Sequence, residues 1–194
     1  MNQFISVADA PDINGLIDLA LAFKSNPNSH SFLGKGKRMG CLFLNPSMRT
    51  RLSTQIAAQN LGMECIVFNV GQEGWALEFE DEAIMSGNTV EHVKDAAPIL
   101  GKYFDVLGIR TFPSLANKED DYSELYIKQF IKYAGIPVVS LESATLHPLQ
   151  SLTDLVSIRE VYSQQPATRK PKIVLTWAPH VNPLPQCVAN SFAQ

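Results

Sequence analysis

The run Asn45-Pro46-Ser47-Met48-Arg49-Thr50-Arg51 packs two hydroxyls and two guanidiniums into five residues. It lies between an apolar segment, Met39 to Leu44, and an amphipathic one that begins at Leu52. A strand, a short turn and a helix in that order leave the first N–H groups of the helix unpaired, facing whatever the Ser47 and Thr50 hydroxyls surround. The macrodipole at that end favours negative charge, and an Arg adds a planar fork able to take two oxygens of one phosphate. The chemistry such a cradle suits is oxyanion binding. The same residues would also make an ordinary solvated helix start, with Ser47 as a good N-cap.

A second helix start carries an imidazole and a carboxamide. In Ala144-Thr145-Leu146-His147-Pro148-Leu149-Gln150, His147 and Gln150 stand three apart, so both can face one small ligand, and Pro148 at the first helical position fixes the entry. His147 taken alone would serve equally as a helix-start residue bonded to backbone. Arg110 ends an apolar run level with the cradle, where a lone Arg would ordinarily be a structural ion-pair partner. Cationic forks, hydroxyls, an imidazole and an amide together suit a small, doubly anionic phosphate ester or anhydride with a polar head.

The elements that must position these groups alternate between helix and strand. Leu16, Leu19, Ala20 and Phe23 predict a helix from about Asp12 to Lys24, and Met39 to Leu44 predicts the first strand. The helix after the cradle carries Leu52, Ile56 and Ala57 on one face and stops at Gly62, suited to a left-handed cap. A strand over Glu64 to Val70 leads to a loop through Gly71, Gly74 and Trp75. Then come a helix from about Val90 to Tyr103 that contains Pro98, a strand over Asp105 to Ile109, a helix near Tyr122 to Ala134, and a strand over Pro137 to Leu141. A long helix from Pro148 to about Tyr162, a polar connection over Gln164 to Pro171, and a strand over Lys172 to Ala178 complete the pattern, before the proline-rich loop Pro179 to Gln186. Strands this apolar, separated by helices, imply an α/β fold with a parallel sheet flanked by helices on both faces. In such sheets the ligand sits beyond the carboxyl ends of the strands, near a switch in strand order. Ser47, Arg110, Glu142, His147 and His180 all fall at those ends. The last strand opens a βα unit with nothing to pair with, as at the start of a second, truncated α/β domain.

Composition narrows the function. The chain of 194 residues has a net charge of −3 and 18% charged residues, which excludes the basic footprint of a nucleic-acid binder. No apolar stretch approaches the ~20 residues of a membrane span, and Met1 to Ala10 lacks the basic start of a signal peptide, so the expectation is a cytoplasmic protein without membrane partners. Cys41, Cys65 and Cys187 are too far apart for a disulfide framework or zinc site, and the four histidines lack metal-ligand spacing, so no metal is expected. Neither a nucleotide-triphosphate loop nor a dinucleotide fingerprint is present. Ser47 lacks the elbow and neighbouring base of a covalent nucleophile.

Ser47-Met48-Arg49-Thr50-Arg51 resembles the carbamoyl-phosphate motif Ser-x-Arg-Thr-Arg of the aspartate and ornithine carbamoyltransferases, and His147-Pro148-Leu149-Gln150 is similar to that family's His-Pro-x-Gln. Trp75 and the run Trp177-Ala178-Pro179-His180 resemble the branch that acts on N-succinylornithine or N-acetylornithine. The resemblance implies that Ser47, the Met48 backbone, Arg49 and Thr50 hold phosphate. It also implies that Arg110, His147 and Gln150 bind the carbamoyl end, with Arg110 bridging to the phosphate. Arg49, Thr50, Arg110 and His147 would be the catalytic set, without an organic or metal cofactor. Arg51 is a structural ion-pair partner in this reading. Trp75 would reach the neighbouring site of a homotrimer and join the carbamoyl-phosphate contacts there. Glu142, His180 and Val90 would meet the acylated ornithine. Acetylornithine relatives carry a Glu at the position matching Val90, whose charge would repel a succinyl carboxylate, so Val90 favours N2-succinyl-L-ornithine over N2-acetyl-L-ornithine. Residues 1–147 would form a carbamoyl-phosphate-binding domain, and residues 148–194 an interdomain helix and the first βα unit of an incomplete ornithine-binding domain. A non-catalytic module that holds carbamoyl phosphate is the competing reading.

Overall fold

Strands β2 (Arg38–Phe43) and β6 (Val106–Arg110) carry unbroken apolar runs because both lie inside a parallel sheet with both faces covered. The computed structural model describes residues 3–85, 87–113, 117–164 and 172–176. Five strands form the main sheet in the order β1 (Gln3–Phe4), β7 (Val138–Glu142), β6, β2 and β3 (Glu64–Asn69), all paired in parallel. From β2 the chain runs to β3 on one side and then crosses to β6 on the other. The switch in strand order therefore falls between β2 and β6, and a crevice opens beyond their carboxyl ends.

Alternation along β2 divides the core. Leu42 points to one face, where it packs with Leu107, Ile109 and Val138 of the sheet, Val93 and Ala97 of α3 (Val93–Tyr103), and Ile127 and Phe130 of α5 (Leu125–Tyr133). Cys41 and Phe43 point to the other, with Leu141 and with Leu149 of α6 (Pro148–Ser163). Helix α1 (Ile13–Ser25) starts at Asp12, whose carboxylate accepts from the Gly15 N–H, and packs against α6. Helix α2 (Met48–Asn60) ends at Gly62 with φ of +80°, the left-handed cap expected there.

Several expectations are corrected. The helix predicted over Tyr122 to Ala134 is two helices, α4 (Lys118–Ser123) and α5, joined at Glu124 in a left-handed conformation. Leu52, Ile56 and Ala57 do not form the buried face of α2; all three are exposed, and Arg51, Thr54, Gln55 and Ala58 turn inward instead, with Arg51 reaching Asn69 at the end of β3. Residues Lys172 to Thr176 do not form the predicted strand: they are exposed and pair with no strand, since none lies beside them among the described residues. The rest of that segment, with Trp177 and His180, lies outside the described residues. The sequence reading had no β1, nor the two-stranded parallel sheet of β4 (Leu77–Glu78) and β5 (Glu91–His92) that precedes α3. No helix among the described residues is long and apolar enough to cross a membrane.

Candidate active site

Ser47 adopts extended backbone between β2 and α2 and caps the helix, its Oγ accepting from the Thr50 N–H at 3.3 Å. The same Oγ donates to Thr50 Oγ1 at 2.9 Å, so the two hydroxyls stand side by side at the helix start. Arg49 is exposed at the rim and has no ion pair or hydrogen-bond partner among the described residues. Arg51 turns away from the cradle: Nη1 donates to Asn69 Oδ1 at 3.1 Å and Nη2 lies 3.9 Å from a Glu73 carboxylate oxygen. One motif thus splits into a free guanidinium and a tethered one.

Arg110 is held from three sides. It is only 7% exposed, its guanidinium lies 4.3 Å from the Phe112 ring centroid, and Nη2 donates to Glu142 Oε2 at 2.9 Å. Nη1 donates to the backbone carbonyls of Asn45 and Pro46 at 3.2 and 3.1 Å, tying β6 to the cradle turn. Nε is buried with no hydrogen-bond partner among the described residues. A register shift makes the ion pair possible: Ile109 pairs with Ser140, but Arg110 pairs with Glu142, so the extra residue of β7 brings the carboxylate opposite the guanidinium.

His147 is the N-cap of α6, and its Nδ1 accepts from the Gln150 N–H at 3.4 Å, which leaves the ring proton on Nε2. Nε2 lies 3.9 Å from Glu142 Oε2. Burial lowers the affinity of this imidazole for a second proton and the Arg110 charge adds to that, while Glu142 and Asp154 oppose it; the net shift is below the ordinary histidine value. His147 is therefore a neutral N–H donor near pH 7. The Gln150 amide is oriented by Asp154, to which Nε2 donates at 2.9 Å.

A cleft of about 570 Å³ brings together Ser47, Arg49, Thr50, Arg110, Glu142, His147 and Gln150. Three other candidates, Met48, Val90 and Trp75, are not in it. The Met48 side chain is 76% exposed outside it, and Val90 is 67% exposed at the end of the loop before β5. Trp75 lines a separate apolar cavity of about 380 Å³ with Val70, Leu77 and Ile99, its indole N–H donating to Glu91 at 2.8 Å. His180 is outside the described residues. The sequence reading missed Asn45 and Phe112, although both flank residues it singled out: Asn45 Oδ1 accepts from the Phe112 N–H at 2.9 Å and joins the two strand ends. It also missed the hydroxyls of Ser53, Thr54 and Thr153, which line the far wall.

Two helix starts and two guanidiniums line one crevice at the strand-order switch of a parallel α/β domain, an arrangement that suits a phosphate-type anion. Residues 2–160 match the family model of the aspartate/ornithine carbamoyltransferase carbamoyl-phosphate-binding domain, and the chain belongs to that family. It is 46% identical over its whole length to the N-succinylornithine carbamoyltransferase of Bacteroides fragilis, of which it covers 60%. It is 36% identical over 98% of its length to the N-acetylornithine carbamoyltransferase of Xanthomonas campestris pv. campestris, of which it covers 56%. A solved structure of N-acetyl-L-ornithine transcarbamylase, with a glutamate replaced by valine and complexed with carbamyl phosphate and N-succinyl-L-norvaline, superposes with a TM-score of 0.89 at 36% identity. The match covers 99% of this chain and 57% of that one. The chain thus spans under two thirds of the length of these relatives.

Proposed function

We propose that this chain is the carbamoyl-phosphate-binding part of an enzyme that transfers the carbamoyl group of carbamoyl phosphate to the δ-amine of N2-succinyl-L-ornithine, giving N2-succinyl-L-citrulline and phosphate. The observation that carries the reading is the single cleft shared by the Ser47–Thr50 cradle, Arg110, His147 and Gln150. Ser47, the first N–H groups of α2, Arg49 and Thr50 bind the phosphate. The Arg110 guanidinium, which lines the cleft while paired to Glu142, binds the carbamoyl end and bridges to the phosphate. His147, through Nε2–H, and Thr50 polarise the carbonyl. The neutral δ-amine attacks the carbamoyl carbon, negative charge collects on the carbonyl oxygen, and the C–O bond to phosphate then breaks. The amine proton leaves with the phosphate. Donors already aimed at the developing charge contribute on the order of 10²-fold each to turnover.

Succinylornithine is preferred over acetylornithine because Val90 places no carboxylate where the succinyl group would approach. The complex of the glutamate-to-valine relative with N-succinyl-L-norvaline supports that choice. The same proposal assigns Glu142 and His180 to the acylated ornithine and Trp75 to the neighbouring site of a homotrimer. It takes residues 1–147 as the first domain and residues 148–194 as the opening of the second. Calorimetry of this chain with carbamoyl phosphate tests the cradle: binding in competition with inorganic phosphate is expected, and no binding overturns the reading. Citrulline formation by the enzyme that contains this chain, compared for the two acylated ornithines, tests the acceptor. A preference for the acetyl compound would overturn the role of Val90.

A further inference from the structure

We infer that Glu124 is a positioning residue for the proposed site: from the joint between α4 and α5, its carboxylate clamps the loop that carries Glu142 at one end and His147 at the other. The inference rests on the reading of the cleft given above. Glu124, with φ of 57° and ψ of 36°, is the one non-glycine residue with positive φ among the described residues. Glycine, asparagine and aspartate visit this region far more readily than glutamate, so the surroundings must hold it there. Its side chain does not cap α5. Instead Oε1 accepts from Ser143 Oγ at 2.7 Å, from the Thr145 N–H at 2.8 Å and from Thr145 Oγ1 at 2.6 Å. Oε2 accepts from the Ala144 N–H at 3.3 Å. One carboxylate thus gathers four donors from three consecutive residues.

Those residues fill the interval between Glu142, the last residue of β7, and His147, the N-cap of α6. The loop is closed on itself by the Ser143 N–H donating to Leu146 O at 2.8 Å and the Leu146 N–H donating to Ser143 Oγ at 3.2 Å. The clamp therefore fixes a rigid turn, with a site residue on each side of it. An uninterrupted helix over residues 122–134 would leave Glu124 on the helix surface. The left-handed joint turns the carboxylate toward the loop, which gives the break a purpose that helix propensity does not.

Two variants test the clamp. Glu124→Gly removes the carboxylate while relaxing the left-handed backbone, and Glu124→Gln keeps the length but turns an NH₂ toward donors. The first readout is the ¹⁵N NMR signature of the His147 ring across pH, with Glu142, Arg110 and Asp154 as the charged groups that face it. The second is the ratio of affinities for carbamoyl phosphate and inorganic phosphate. In Glu124→Gly we expect the unprotonated Nδ1 signature to give way to mixed tautomers and the titration to rise toward the ordinary histidine value. Carbamoyl-phosphate affinity falls about tenfold from misplacement of the polar end, while inorganic phosphate, held by the untouched cradle, binds as before. Glu124→Gln moves in the same direction by less, and it decides the matter if the glycine variant does not fold. A wild-type His147 signature and an unchanged affinity ratio, in a variant that merely melts lower, would overturn the inference. Absence of carbamoyl-phosphate binding in the unmodified chain would instead sink the functional reading, and the His147 signature alone would then decide the clamp.

Discussion

Replacing Arg110 with methionine is the most informative single perturbation, because the guanidinium serves the fold and the site through the same atoms. Arg110→Met keeps the stem that crosses Phe112 but leaves the Glu142 carboxylate, 12% exposed, without its 2.9 Å partner. Removing one member of a buried ion pair typically costs about 3–5 kcal/mol, most of it the penalty of the charge left behind. The Asn45 and Pro46 carbonyls also lose their donor, but at an open cleft water replaces it, so the expected loss stays near 4 kcal/mol. Glu142→Gln removes the stranded charge. The double variant should therefore be less destabilised than the sum of the singles by about 2 kcal/mol, a coupling ordinary for contacting charged groups. Urea unfolding of the four proteins, followed by circular dichroism, measures both quantities. A loss below about 1 kcal/mol in Arg110→Met, or strict additivity in the double variant, would mean that water has access to the pair. The account of Arg110 as a pre-fixed donor would then fail.

Other perturbations separate the roles of individual residues. Arg49→Ala removes an exposed, unpartnered side chain and should change stability by less than about 0.5 kcal/mol. Its affinity for phosphate at low salt should fall at least tenfold, about 1.4 kcal/mol, as read by calorimetry. Burial holds the His147 pKa in the folded chain below its unfolded value, so its contribution to stability is complete above the unfolded value and is lost as pH falls through the folded one. Unfolding free energies between pH 8 and 5 should decline more steeply in the wild type than in His147→Gln, and parallel curves would contradict the burial argument. Gly62→Ala and Gly36→Ala both place an alanine at positive φ, but only at Gly62 would the new Cβ meet a backbone atom, Ser31 O at 2.0 Å. Thermal melts should show Gly36→Ala costing about 1 kcal/mol, the left-handed penalty alone, and Gly62→Ala clearly more.

What could be read from the sequence was what is decided within a few residues. Ser47 and His147 announce themselves because an N-cap acts over three positions, and the motif around each cap carries its own donors. The central strands β2 and β6 were readable because a segment buried on both faces is largely apolar. The two-residue strands β1, β4 and β5 are too short to show a pattern, and the apolar run from Lys172 to Thr176 forms no strand. The Arg110–Glu142 pair was not readable either, since it depends on one extra residue in β7, and nothing in the apolar run marks where the ladder slips. Leu52 and Ile56 illustrate a different failure. Periodicity reports that a helix has an apolar face, not that this chain supplies the surface to cover it. The break at Glu124 escaped for a related reason: Leu125, Tyr126 and Phe130 report only the helix after the joint, and the donors that stabilise the left-handed residue lie about twenty positions later.

Under the proposed function, the two guanidiniums of the cleft divide the task of binding according to how each is held. Arg110 has given up its rotamer freedom on folding, so a ligand oxygen that reaches its guanidinium meets a donor already in position. Arg49 retains that freedom and must lose up to about 2 kcal/mol of side-chain entropy when it closes on a phosphate. It is, however, the cleft cation without a carboxylate partner among the described residues, so the attraction that draws a dianion in belongs chiefly to it. Glu142 sharpens the division. By neutralising Arg110 it removes the strongest reason for a simple inorganic anion to lodge at the polar end. It leaves instead a set of neutral or neutralised donors, His147 Nε2–H, the Gln150 amide and the ion-paired Arg110 guanidinium, that suits a carbonyl better than a second phosphate. Under the proposed function, discrimination between carbamoyl phosphate and phosphate would therefore rest on one buried ion pair. It should collapse toward plain anion binding when Glu142 is made neutral.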